Sequence, residues 1–421
     1  MARLAAVDAQ TWWMSAKLPN DQFLLYGFDG DTGDLGAALD AVRARARRCP
    51  DLALRISDGV KLAYPAWVPR PVTDDQFVVH DLGAPTWNEC LDAISALADD
   101  QLDATTATWR LHVYPHVCDM PRNDNTGVVA VLQIAHALAD GIRSSALAAR
   151  LFGRETPLDP IPASRFPPAA LPVRAVRAAR AHRRLVADEA SGEVPPQAPA
   201  RPVLRSNSAP DGDRWIRTIV RNRNQICGPT VTVGVLSAIS TALSAHLREL
   251  GDDPADLGAE VPMAKAGPRR ARNHFGNVGI GLYPDLGHVE RIEHIVEDFA
   301  QRRVRAAHPA MIAASRAFAA TPAPLLRWGV AQFDPTLRSP VATGNTVVSS
   351  VNRGAADLRF GSARVAVTAG YPALSPMMGL THGVHGIGDT VAVSVHTAAS
   401  AIGGEDALAA YVERLAKALD G

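Results

Sequence analysis

The run Val128-Val-Ala-Val-Leu-Gln-Ile134 constrains this chain most. It is short, rich in β-branched residues and almost uninterrupted, which suits a strand buried on both faces of a sheet. His136 follows it, and the pair Asp140-Gly141 stands four residues further on. Asp140 has the chemistry of an N-cap, and Ser144, Ala146, Leu147 and Leu151 continue at helical spacing toward Gly153. The segment therefore predicts strand, turn and helix, with His136 leaving the strand end. A rigid sheet can hold a side chain there toward a cleft.

The neighbouring segments alternate in type. Strands are expected at Gln22 to Phe28, Leu52 to Ile56, Leu62 to Val68 and Trp109 to Val117, and helices at Leu35 to Arg48 and Trp87 to Leu97. Trp109 to Val117 makes a hairpin with Gly127 to Ile134 across the turn-rich Pro121-Arg-Asn-Asp-Asn-Thr-Gly127. Later strands are expected at Trp215 to Val220, Gly276 to Tyr283, Asn345 to Val351, Arg364 to Thr368 and Val391 to His396. Helices are expected at Val233 to Leu250 and Asp406 to Leu419. The class is α/β with mixed sheets.

At 421 residues the chain exceeds one ordinary core, so two domains are expected. Prolines at 157, 160, 162, 167, 168, 172, 195, 196, 199 and 202 bracket a basic helix from Val173 to Ala190. The divisions are residues 1–156, a linker over 157–213, and 214–421. Arg174, Arg177, Arg180 and Arg184 share one face of the linker helix. Two readings stand for it, a solvated face or a surface for anionic membrane or phosphate.

Lys plus Arg and Asp plus Glu are balanced at 43 each, which gives no charge-based reason to expect nucleic acid. Cys49, Cys90, Cys118 and Cys227 show no CxxC spacing, as in a reducing compartment, and no signal-peptide layout or long apolar run appears. A cytoplasmic protein is expected, soluble or peripheral to a membrane. Gly276-Asn-Val-Gly279 and Gly383-Val-His-Gly-Ile-Gly388 match neither a dinucleotide fingerprint nor a P-loop, and no GxSxG elbow occurs. His382, His385 and His396 lack a carboxylate or cysteine at ligand spacing, so they read as a glycine-rich loop with ordinary polar residues and no metal site is assigned. His112 and His116 read as packing or surface residues of a strand.

His136 itself has two readings. It can be a general base, taking a proton from a hydroxyl, thiol or amine that attacks an acyl carbon, with Asp140 ordering the loop and Gly141 allowing tight backbone. It can equally be a structural histidine beside an N-cap aspartate.

The stretch Ala135-His-Ala-Leu-Ala-Asp-Gly141 resembles the HHxxxDG motif of the chloramphenicol acetyltransferase-like superfamily, which includes condensation domains and lipid acyltransferases. Further stretches resemble the bacterial wax ester synthase/diacylglycerol acyltransferases. These are Leu4-Ala-Ala-Val-Asp-Ala-Gln-Thr-Trp-Trp13, Val261-Pro-Met263 with Phe275-Gly-Asn-Val278, Thr346-Val-Val-Ser-Ser-Val351, Phe360-Gly-Ser-Ala-Arg-Val365 and Tyr371-Pro-Ala-Leu-Ser375. They run in family order along nearly the whole chain. Three departures stand out: Ala135 replaces the first motif histidine, Thr232-Val233 stands where the family has Asn-Asp, and the family's SNVPGP region reads Ser349-Ser-Val-Asn-Arg-Gly354.

The resemblance implies two chloramphenicol acetyltransferase-like domains that form a central cleft or tunnel, with His136 on its floor. It implies acyl transfer from acyl-CoA or an acyl carrier protein to a small-molecule or lipid alcohol, with the thioester as co-substrate and no other cofactor. His136 would be the base and Asp140 would pair with an arginine. Asn277 or the pair Ser349-Ser350 would supply oxyanion donors. Two alternatives stay open: a condensation-type enzyme forming an ester or amide on a specialised metabolite, and a catalytically degenerate binding or scaffold protein.

Overall fold

The computed structural model describes residues 2–123, 126–162 and 170–421. Asp124 and Asn125 of the expected turn, and Pro167 and Pro168 of the proline bracket, lie outside the described residues.

The strand Gly127–Ile134 is buried along its whole length, as its composition requires. It sits inside a six-stranded sheet, in the spatial order Arg359–Phe360, Ala363–Gly370, Gln22–Asp29, Gly127–Ile134, Trp109–Val117 and Phe77–Val79. Successive side chains point to opposite faces. Val128, Ala130, Leu132 and Ile134 join Leu24, Tyr26, Phe28 and Phe152 in one core. Val129 and Val131 join Leu25 and Tyr114 in another. The expected hairpin forms, and its register shifts between Tyr114 and Val117, where His116 takes a left-handed φ of 57°.

A second six-stranded sheet runs Phe275–Gly281, Gly258–Ala264, Thr346–Asn352, Leu380–Ile387, Thr390–Ala398 and Arg214–Asn222. The helices Val231–Glu249 and Glu405–Leu419 cover one of its faces, and Leu236, Ile239, Leu243, Tyr411 and Leu415 build that core with Val391, Val393 and Val395. An 18-residue window of Val231–Glu249 reaches a mean hydropathy of 1.2, enough by length and composition to cross a membrane, yet 72% of it is buried inside the fold. The opposite face of this sheet sends Ile216 and Ala392 into the Leu25 core of the first sheet.

Two features depart from the sequence expectation. The first concerns the segment 359–370, which falls in the 214–421 division but pairs with the first sheet, with Thr368 opposite Tyr26. The second half of the chain thus completes the sheet of the first. The second concerns His382 and His385, which lie on the strand Leu380–Ile387 in the middle of the other sheet and not in a glycine-rich loop. Gly383 between them serves close packing: a Cβ there would stand 2.1 Å from the Gly370 carbonyl oxygen. His382 is fully satisfied, with Nδ1 on the Thr346 hydroxyl at 2.8 Å and Nε2 on the Tyr411 hydroxyl at 2.6 Å.

The early strands are shorter than expected, at Leu54–Ser57 and Ala66–Pro69. The basic helix spans Leu171–Ala190 and rests through Leu185 on Val194 and Ala310. Arg177, Arg180 and Arg184 are exposed on it, whereas Arg174 is half-buried and donates to the Arg316 carbonyl.

Leu25 lies fully buried where both sheets and the crossover strand meet. Leu25→Ala should cost about 2–5 kcal/mol, read from urea unfolding followed by tryptophan fluorescence. A loss below about 1 kcal/mol would contradict a tightly packed inter-sheet core.

Candidate active site

The segment after Ile134 leaves the sheet through a tight turn. The Ala135 N–H donates to the Thr108 carbonyl at 2.9 Å and the Leu138 N–H to the Ala135 carbonyl at 2.8 Å, which places His136 at the apex. The helix Gly141–Leu151 then starts on its expected cap, with Asp140 Oδ1 accepting the Arg143 N–H at 3.0 Å. Gly141 has no left-handed φ. Its role is close approach, since a Cβ there would meet Val351 Cγ2 at 3.3 Å.

The rest of the Asp140 carboxylate is taken by a loop from the other half of the chain. Arg269 donates to Oδ2 at 2.7 Å and to Oδ1 at 3.3 Å, and the His274 N–H donates to Oδ2 at 2.9 Å. This arginine is the partner that the sequence implied without identifying. Asp8, buried on the first helix, accepts the N–H groups of Arg272 and Asn273 at 3.0 and 2.8 Å and the Asn273 side chain at 3.1 Å. Asn273 in turn donates to the His136 carbonyl at 2.9 Å. Arg272 and Arg143 converge on Asp51 at 2.7 and 2.9 Å, and the Arg272 guanidinium lies 4.6 Å from the Trp67 ring centroid.

The His136 ring stacks on Phe275, with centroids 5.7 Å apart and planes 21° off parallel. Its Nδ1 is buried, and the groups that bear on the ring are its own backbone, the Asn273 side chain and the Asp140 charge. Burial holds the imidazole below the ordinary histidine pKa, opposed by its own backbone, the Asp140 charge and Asn273. The ring is therefore neutral and able to accept a proton at neutral pH.

His136 opens on a cavity of about 1030 Å³ between the two sheets. Asp140, Gly141, Asn277, Ser349 and Ser350 line the same cavity, so every site residue singled out from the sequence is brought to one place. Val261–Met263 and Phe275–Val278 form one antiparallel wall, with Pro262 opposite Asn277. The Asn277 amide donates to the Glu260 carboxylate. Ser350 exchanges a hydrogen bond of 2.7 Å with Thr232, in the first turn of the helix capped by Thr230. Thr232, a departure from the family pattern, thus has a partner in another departing stretch.

Sequence reasoning missed Asp8, Asn273 and the ring contact of Phe275. Asp8 and Phe275 lay inside quoted stretches, but nothing in their spacing indicates partners more than 130 residues away. Arg269 is one of three arginines in Pro268-Arg-Arg-Ala-Arg272, and no periodicity singles it out.

No protein-family model matches the sequence, and no curated protein matches it either. Solved structures do. The wax ester synthase/diacylglycerol acyltransferase from Marinobacter aquaeolei VT8 is 18% identical, with 99% of this chain and 98% of that one covered and a TM-score of 0.64. A mutant starter condensation domain of rhizomide synthetase, in complex with C8-CoA and Leu-SNAC, is 13% identical over 100% and 93% of the two chains, with a TM-score of 0.60. Trichothecene 15-O-acetyltransferase from Fusarium sporotrichioides is 13% identical over 99% and 94%, also at 0.60. The fold is the two-domain chloramphenicol acetyltransferase-like one that the sequence resemblance implies.

Asp140 and Arg269 are 5% and 12% exposed, so removing either strands a buried charge. Arg269→Met should destabilise the protein by about 3–5 kcal/mol. The double variant with Asp140→Asn should recover part of that loss in a double-mutant cycle. Additive losses would show that the pair does not couple.

Proposed function

We propose that this protein moves an acyl group from a thioester, acyl-CoA or an acyl carrier protein, to an alcohol, with His136 as general base. One observation carries the reading: the His136 imidazole, in the turn that leaves a buried strand, stands on the wall of a cavity of about 1030 Å³. The fold it shares with a wax ester synthase, a condensation domain and an O-acetyltransferase supports it.

In this reading the acceptor hydroxyl oxygen attacks the thioester carbonyl carbon while the imidazole removes its proton. The tetrahedral intermediate then collapses, the carbon–sulfur bond breaks, and the same proton passes from the imidazolium to the leaving thiolate. No covalent enzyme intermediate is needed. Stacking on Phe275 and the Asn273 bond to the His136 carbonyl fix the ring, which is the positioning such a reaction depends on. The Ser350–Thr232 pair lies at the N-terminal end of Val231–Glu249, where the helix dipole favours negative charge, and it is a fitting donor set for the developing oxyanion. Asn277, engaged by Glu260, keeps a second amide hydrogen for the same task. Val296, Phe299, Ala306 and Ala307 of the helix His288–Ala307 line the cavity together with Arg303, and their apolar surface suits an acyl chain.

The bracing of the His136 carbonyl by Asn273 and of Asp140 by Arg269 weighs against a scaffold without activity, because a binding protein would need less precise bracing. We place the reaction in the cytoplasm, in keeping with four cysteines that are all unpaired.

Incubation with a panel of acyl-CoAs and alcohols should release free CoA, and His136→Ala should lower turnover by about 10²-fold or more. Unchanged turnover in that variant would refute the assignment. Because the His136 pKa lies below the ordinary value of 6.5, the neutral base persists as pH falls through 6.5. The acid limb of the wild-type kcat/KM profile should therefore lie below that of a free histidine. A limb above 6.5 would contradict a desolvated base.

A further inference from the structure

The cavity contains a buried cation that the proposed acyl transfer does not use. Arg353 follows the strand Thr346–Asn352, lines the cavity and is only 5% exposed. Its backbone is held on both sides: the N–H donates to the Gly386 carbonyl at 2.8 Å, and its carbonyl accepts from Arg154 at 2.8 Å. Nη1 is spent on the Leu25 carbonyl at 3.2 Å and on the Thr368 hydroxyl. The guanidinium carbon lies 5.0 Å from the Tyr26 ring centroid.

The opposite edge of the guanidinium is different. Nε is buried without a hydrogen-bond partner, and no carboxylate among the described residues forms an ion pair with this arginine. The ionisable groups that face it are the phenols of Tyr26 and Tyr371 and the imidazole of His385. His385 is also 5% exposed, lines the cavity, and keeps its Nδ1 without a partner. Between the two stands Gly370. A Cβ added there would lie 2.9 Å from Arg353 Nη2, 2.9 Å from His385 Nε2 and 2.8 Å from His385 Cε1. The two side chains leave no room for a Cβ at residue 370, so glycine lets both pack against the strand, and Gly370 lines the cavity beside them.

A buried charge with no counter-ion is costly, and a guanidinium cannot escape the cost by losing its proton. Nε is sealed within the fold, so the donor left for a ligand is Nη2, which can give a carboxylate a charge-assisted hydrogen bond. We propose that Arg353, with His385 across Gly370, binds a carboxylate of the substrate inside the cavity. The inference rests on the acyl-transfer reading and narrows its substrate class to molecules that carry a carboxylate, on either the acceptor or the acyl group.

Calorimetric titration of the full chain tests this without requiring turnover. One arm compares ω-hydroxyhexanoate with hexanediol, the other glutaryl-CoA with pentanoyl-CoA. In one arm the carboxylate-bearing probe should bind about tenfold or more tighter than its neutral counterpart. The arm that responds identifies which substrate carries the charge. Arg353→Met should abolish that preference, and Arg353→Lys, which keeps the charge but not the guanidinium plane that Leu25 and Thr368 hold in place, should restore only part of it. Circular dichroism melts establish that each variant is folded, and where Arg353→Met does not fold, the wild-type preference and Arg353→Lys decide. Equal binding of charged and neutral probes in both arms, or an unchanged preference in the folded Arg353 variants, overturns the proposal. Because binding is read directly, a carboxylate preference stands even if His136→Ala leaves turnover unaltered, so the two readings fail separately.

Discussion

The carboxylate of Asp140 is the joint on which this molecule turns. Its oxygens accept from the N–H that starts the helix Gly141–Leu151, from the Arg269 guanidinium and from the His274 N–H, so one side chain ends a strand-to-helix turn and fastens it to a loop more than 125 residues away. Such a buried pair adds little net stability over an apolar replacement, because desolvation offsets most of the attraction. Its value lies in geometry. With Asp140 fixed, the turn bearing His136 has one conformation relative to Phe275, and Asp8 repeats the device by holding Asn273 against the His136 carbonyl. The two acids brace a single histidine from both sides.

The same bracing keeps the cavity open. Two sheets that merely packed face to face would close on each other, as they do around Leu25, Ile216 and Ala392. The strand Ala363–Gly370 prevents slippage, because it leaves the second half of the chain to complete the first sheet while the strand Thr346–Asn352 before it stays in the second. Cavity residues therefore come from both sheets and from the segments between them. Moving one half would tear a strand from the other, which makes the cavity a property of the whole chain.

Local patterns were legible where the chain acts locally. The buried strand Gly127–Ile134, the Asp140 cap and the helix after it follow from β-branching, polarity and 3.6-residue spacing within some twenty residues. Glycine misled where its cause was distant: Gly383 read as loop because a sequence cannot show that Gly370 lies against it. The division of the chain at 157–213 likewise follows proline content, whereas the exchange of 359–370 between sheets depends on pairing, which leaves no compositional trace. At the site, residue types pointed to His136 and Asp140, the family resemblance added Asn277 and Ser349-Ser350, and Arg269 was hidden among equivalent arginines.

The departures from the family pattern carry a physical argument of their own. Scattered at random, losses of motif residues would signal decay of an idle site. Here Thr232 bonds to Ser350, and Arg353, which stands where the pattern expects no charge, is anchored by Leu25 and Thr368 and faces His385. All four of Thr232, Ser350, Arg353 and His385 line one cavity. A buried guanidinium costs several kcal/mol without a counter-ion, and a chain with no use for it would lose little by replacing it with an apolar residue. Thr232 and Ser350, two departures bonded to each other, and the anchored Arg353 line the same cavity as His136, an arrangement in keeping with the proposed acyl transfer.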